Sequence, residues 1–79
     1  MNEKVKIIFE KYETMGLSIK QMSEVIGISS SKTTKMFSDF SEKQILEKNM
    51  LPPWKKIGGT RLWDIEIILK WNSETEKVA

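Results

Sequence analysis

A basic segment without a single acid lies in the last third of the chain, over residues 54–63, WKKIGGTRLW. Its cations are Lys55, Lys56 and Arg61. Lysine and arginine are the side chains with which proteins most often bind phosphate oxygens. The segment therefore predicts an anion-binding surface around the glycine pair Gly58-Gly59.

The glycine pair predicts a two-residue hairpin turn, because glycine adopts positive φ angles without strain. Strands are expected over residues 55–57 and 60–62. Lys56 and Arg61 would then be cross-strand neighbours on one face. Two adjacent cations repel, so we expect a phosphate or a narrow minor groove to neutralise them. The alternative is a surface hairpin whose lysines only keep an edge strand soluble.

Between residues 30 and 38, polar residues recur at helical spacing and predict a second polar surface. At 100° per residue its members fall within an arc of about 140°. They are Ser30, Ser31, Thr34, Lys35 and Ser38, with Lys32 at the margin. Hydroxyls and lysines suit contacts with phosphates and base edges, and a helix fits the major groove of DNA. The alternative is a solvated surface without a ligand.

The composition argues against catalysis. Histidine and cysteine are absent, which removes the usual general base, disulfides and the commonest metal ligands. Gly58-Gly59 lacks the Lys-Ser/Thr that completes a phosphate-cradling loop. Asp64 and Glu66 are two residues apart on a helix and cannot face each other as a catalytic pair. We expect no catalytic residues, no metal, no cofactor and no enzymatic activity.

Length and charge predict a single small domain over residues 1–79. The net charge is +2, and it is unevenly distributed. Residues 14–38 carry +2 and residues 49–63 carry +3, separated by a segment of −1 over residues 39–48. No apolar run is long enough for a membrane span or a secretory leader, so a soluble cytoplasmic protein is expected.

Capping patterns predict the helices of the first half. Apolar residues at i, i+3, i+4 and i+7 predict a helix over residues 3–13, with Gly16 as its terminator. Ser18 and Gln21 match a capping box for a second helix that ends before Gly27. Ser29 is the expected cap of a third helix. Residues 18–38 together predict a helix-turn-helix.

The second half follows the same local rules. Ser41 and Gln44 match another capping box, for a helix over residues 42–49 that the following prolines end. Asp64 is the expected cap of a last helix over residues 64–72, followed by a frayed polar tail. Its inward-facing residues are expected to be Ile65, Ile68, Leu69 and Trp71. Trp54 and Trp63 are expected to pair across the hairpin, in structural rather than base-stacking roles.

The stretch LSIKQMSEVIGISSSKTTKMF, followed by WKKIGGTRLWDIEIILKW, resembles the excisionase-like branch of the MerR-type winged-helix DNA-binding domains. The resemblance covers about residues 16–72 and implies a mostly α fold with a small β-hairpin, a winged helix-turn-helix. It implies a recognition helix at residues 30–38 in the major groove, and a wing within residues 54–63 on an adjacent groove or phosphate track. Ser23 and Thr33 stand where this family usually has Ala and Val or Ile.

The resemblance implies a sequence-specific binder of double-stranded DNA. Two roles fit, an excisionase-type recombination accessory factor or a small phage or plasmid transcription regulator. A recombinase or another copy of the chain on adjacent sites would be a further partner. The implied wing contacts are Lys55, Lys56, Gly58, Gly59, Thr60 and Arg61. The alternatives are a protein-interaction or DNA-packaging adaptor, and a toxin–antitoxin or anti-repressor partner that masks another protein.

Overall fold

The computed structural model describes the backbone of residues 3–78 and the side chains of residues 3–75. Its helices are α1 (Glu3–Tyr12), α2 (Ile19–Ile26), α3 (Ser30–Asp39), α4 (Glu42–Glu47) and α5 (Ile65–Val78). Its strands are β1 (Gly16–Leu17), β2 (Lys55–Ile57) and β3 (Thr60–Asp64). The fold over these residues is mostly helical with a small three-stranded antiparallel sheet, an arrangement compatible with a winged helix.

The predicted hairpin is confirmed, and a third strand joins it. β2 pairs with β3, and Gly58 and Gly59 form the turn with φ angles of 58° and 80°. β1 pairs with the other edge of β3, so the strand order is β1-β3-β2. The prediction that Gly16 ends the first helix is wrong, because Gly16 lies in β1. The helix ends instead where Glu13 adopts a left-handed φ of 58°.

α2 and α3 are joined by a short turn, and their ends are capped by the predicted residues. Ser18 and Gln21 make a capping box on α2, and Gly27 ends that helix with a φ of 83°. The Ser29 side chain accepts a hydrogen bond from the backbone N–H of Lys32 at the start of α3. Each of these groups satisfies a polar backbone atom that the helix end leaves unpaired.

Two predicted helix ends are wrong. α4 ends at Glu47 rather than at residue 49, because Asn49 takes a left-handed φ of 53° and Met50 donates back to Ile45 O at 3.0 Å. α5 begins after its Asp64 cap and extends to Val78, beyond the predicted end at residue 72. No glycine or proline interrupts that stretch. The ends of the predicted domain, residues 1, 2 and 79, lie outside the described residues.

The core gathers side chains from both halves of the chain. Its residues are at most 3% exposed: Val5, Leu17, Met22, Ile45, Leu51, Trp63, Ile65 and Ile68. Trp63 is fully buried, and its indole N–H donates to Pro52 O at 2.9 Å. Val5 brings α1 into this core, and Ile45 and Leu51 anchor the segment that precedes the hairpin. The core therefore holds the sheet, the helix-turn-helix and α5 together.

Candidate nucleic-acid interface

The outer face of α3 is polar and open to solvent. Ser31, Lys32, Thr34, Lys35 and Ser38 are exposed, and Ser30 is half-buried. Thr33 points to the opposite side and is fully buried. Lys32 and Lys35 make no salt bridge with the side chains of residues 3–75. This face can therefore offer hydroxyls and two unpaired lysines to a ligand.

An acid omitted from the predicted surface lies at the end of the same face. Asp39 is exposed and follows Lys35 by one helical turn. It lines a shallow depression together with Lys32, Lys35, Met36, Phe40 and Met50. The signal was available in the sequence, because position 39 continues the i, i+4 row that starts at Ser31 and Lys35. The polar face of α3 thus has mixed charge at its C-terminal end.

The hairpin presents two different faces. Successive residues of a strand point to opposite sides, and Lys56 lies opposite Arg61 as predicted. Lys56 and Arg61 therefore share one face, while Lys55, Ile57, Thr60 and Leu62 share the other. Lys55, Lys56, Gly58, Gly59 and Thr60 are exposed, and Arg61 is half-buried. Lys55 makes no salt bridge among the described residues.

Aromatic side chains fix the hairpin against α3. Phe37 meets Trp54 and Trp63 edge-on, with ring centroids 5.2 Å and 6.3 Å away. The rings of Trp54 and Trp63 lie 5.6 Å apart, so the predicted contact between them is confirmed. Edge-on pairs of this kind contribute about 0.5–1.5 kcal/mol each beyond the area they bury. Helix and hairpin consequently hold a defined position relative to each other.

Trp71 behaves differently from the other two tryptophans. It is half-buried, and its indole N–H donates to Asn49 Oδ1 at 2.7 Å. The inward orientation expected for Trp71 is therefore only partly correct. The three indole N–H groups have three different acceptors, since Trp54 donates to Glu42 Oε2 at 3.2 Å.

The cationic face of the hairpin carries an internal counter-charge. Glu42, the first residue of α4, accepts a hydrogen bond from Lys56 Nζ at 2.6 Å on Oε1. The same oxygen lies 3.6 Å from Arg61 Nη2. Arg61 also stacks over the ring of Phe37, 4.0 Å from its centroid. Hydrogen bonding from Lys56 is the main cause that lowers the pKa of the Glu42 carboxyl.

This cluster removes the premise of one prediction. The repulsion between Lys56 and Arg61 was expected to require an external phosphate, but Glu42 relieves it within the chain. Local sequence rules place Glu42 in the first turn of a helix and give no sign that the hairpin reaches it. Only the tertiary fold brings residues 42, 56 and 61 together.

A further unpaired cation lies on the helix-turn-helix. Lys20 is exposed in the first turn of α2 and makes no salt bridge with the side chains of residues 3–75. The one acid among residues 14–38, Glu24, instead accepts a hydrogen bond from Tyr12 of α1 at 2.6 Å. That hydrogen bond is the main cause that raises the pKa of the Tyr12 hydroxyl.

Among residues 3–75, no group of acidic side chains is arranged to bind a metal ion. None of the described helices is long and apolar enough to cross a bilayer. The chain matches no protein-family model, no curated protein and no solved structure.

Proposed function

We propose that the protein is a sequence-specific binder of double-stranded DNA, built as a winged helix-turn-helix of the MerR/excisionase-like type. α3 would enter the major groove, and the hairpin would contact an adjacent groove or the phosphate backbone. The observation that carries the proposal is the exposed hydroxyl and lysine face of α3, held next to a basic hairpin by Phe37.

The charge pattern supports this proposal. Four exposed lysines have no acidic partner among the side chains of residues 3–75: Lys20, Lys32, Lys35 and Lys55. Glu24 is engaged with α1. Lysines and hydroxyls contact phosphates and position a protein on the duplex, while the same side chains on a helix can meet base edges.

The role that fits best is an accessory factor for excisionase-type recombination or a small phage or plasmid regulator. Either role needs a DNA-binding domain without catalytic groups. A recombinase or a second copy bound at an adjacent site would be the protein partner, because a domain of this size covers one half-site. A protein that binds such DNA would act in the cytoplasm.

The test is the salt dependence of binding to a mixed-sequence duplex. With about four to six phosphate contacts, affinity should fall about 10²–10³-fold between roughly 50 and 200 mM salt. Fluorescence anisotropy of a labelled duplex measures this directly. Affinity that does not change with salt would contradict the proposal.

A second candidate is a protein-interaction or DNA-packaging adaptor, and one observation favours it. Two adjoining depressions share Pro53 and Ile67 on the side of the hairpin away from Glu42. Leu62 and Trp71 add apolar surface there, and Ile57, on the same hairpin face as Leu62, is 62% exposed. Charged side chains border the two depressions: Lys55, Asp64, Lys70 and Glu74. Exposed apolar patches often bind other proteins. This candidate would be supported if the parent protein does not bind DNA but binds another protein through this surface.

A further inference from the structure

Glu42 lies where α4 meets the cationic face of the hairpin. Its Oε1 contacts both Lys56 and Arg61, at 2.6 Å and 3.6 Å, and its Oε2 accepts from the indole of Trp54. The separation from Lys56 is in the range of a strong charge-assisted hydrogen bond. A carboxylate oxygen at this position occupies the place that a phosphate oxygen would take between the two cations.

The two cations differ in how far they could follow a ligand. The Lys56 side chain is 51% exposed, and the flexible lysine chain can turn outward. The Arg61 side chain is 34% exposed and is stacked on Phe37, so leaving Glu42 would also cost that contact. Lys55, next to Lys56 on the opposite face, has no such restraint. Lys55 can meet a phosphate without breaking an internal pair.

We infer that Glu42 is a specificity-determining residue, an internal competitor that withholds Lys56 and Arg61 from DNA phosphates. The inference rests on the proposed DNA binding. Phosphate contacts then come mainly from the lysines that have no internal partner. Because fewer cations reach the phosphates, the affinity for DNA of any sequence stays low. Base contacts from α3 do not involve Glu42, so the ratio of specific to non-specific affinity rises.

The test compares Glu42→Gln with Glu47→Gln on random duplex DNA. Glutamine keeps the length of the side chain and an oxygen that can accept from Trp54. Glu47 is a matched control, because it lies on the same helix, changes charge equally and releases Lys43 from a pair of 3.9 Å. We expect Glu42→Gln to bind more tightly. Its affinity should fall about three- to fourfold more than the parent's between roughly 50 and 200 mM salt. That is the effect of one added phosphate contact, from Lys56, because Arg61 stays stacked on Phe37.

Two lysine variants keep the inference testable should Glu42→Gln fail to fold. Lys55→Ala should flatten the salt slope by about one unit, and Lys56→Ala should change it by less than about half a unit. In the Glu42→Gln background, Lys56→Ala should restore the parent's slope. The inference is overturned if both lysine variants flatten the slope equally, or if Glu42→Gln matches Glu47→Gln or binds more weakly. A parent without salt-dependent DNA binding would instead defeat the proposed function itself.

Discussion

α3 is held on two sides by contacts of opposite character. On the α2 side the contact is made by two small, fully buried residues, Ser23 and Thr33, whose hydroxyls lie 2.8 Å apart. On the hairpin side it is built from large rings and from charges that water can reach. The first contact joins α2 to α3 through residues only ten positions apart in the sequence. The second joins segments that are distant in the sequence and includes the titratable carboxyl of Glu42.

The largest loss of stability on the hairpin side should come from removing the buried ring of Trp63. Trp63→Ala should lower the free energy of unfolding by about 3–5 kcal/mol, because it empties a fully buried site. Trp54→Ala should cost about 1–2 kcal/mol, since Trp54 is only half-buried. Urea unfolding followed by circular dichroism measures both. Equal losses would contradict this expectation and would mean that the two rings contribute equally to the free energy of unfolding.

The hairpin turn can be distorted without touching the α2–α3 contact. Gly58→Val and Gly59→Val should each cost about 1–2 kcal/mol, because both positions have positive φ and a β-branched residue is strained there. Gly16→Ala is the control, since an added Cβ would meet Leu62 at an ordinary 3.7 Å. NMR spectra should show changes confined to the hairpin, with weaker DNA binding. Parent-like DNA binding by both valine variants would argue against a role for the turn.

The hydroxyl pair should be less sensitive than the aromatic contact. Ser23 Oγ can donate to Ile19 O at 2.7 Å, and Thr33 Oγ1 to Ser29 O at 3.2 Å. Removing one hydroxyl therefore leaves the other with an acceptor, and Thr33→Val should cost about 0.5–1.5 kcal/mol. The double variant with Ser23→Ala should cost no more than Thr33→Val alone. A strictly additive double-mutant cycle would show that the two hydroxyls do not stabilise each other.

The smallest effect should come from pH. The lowered pKa of Glu42 means that its pairing stabilises the fold above the ordinary value of 4.5, and that this stabilisation is lost as pH falls through the lowered value. The indole N–H signal of Trp54 should shift with a midpoint below 4.5. The Trp63 indole, bonded to a backbone carbonyl, should not follow this titration. Glu42→Gln should abolish the transition, and its persistence would assign the titration to another group.

Features that depend on neighbouring residues could be predicted from the sequence, whereas features that depend on contacts between distant segments could not. Ser18, Gly27, Ser29 and the Gly58-Gly59 turn act through neighbouring residues, and each was predicted with the correct role. β1 is only two residues long and exists because β3 lies beside it, so no local pattern marks it. The left-handed Glu13 has no sequence signal, because glutamate rarely adopts that conformation. Asn49 did carry a signal, since asparagine is the residue that most often replaces glycine at a left-handed helix end.

The candidate site likewise has a part that could be predicted from the sequence and a part that could not. The polar face of α3 follows from helical spacing, and the alternation of Lys55 and Lys56 follows from strand geometry. The Glu42 cluster could not be predicted, because it needs α4 to meet the hairpin. The buried pairing of Ser23 with Thr33 also needs two helices in contact, although both residues were recognised as unusual for the resembled family.

An NMR titration of the protein with mixed-sequence duplex DNA tests the DNA-binding proposal most directly. We expect backbone amide shifts over residues 30–38 and 55–61, together with the indole signal of Trp54. The indole of Trp71, bonded to Asn49 on the other side of the hairpin, should stay in place. Shifts confined to Trp71, Ile67 and their neighbours, or no shifts at all, would contradict DNA binding through α3 and the hairpin.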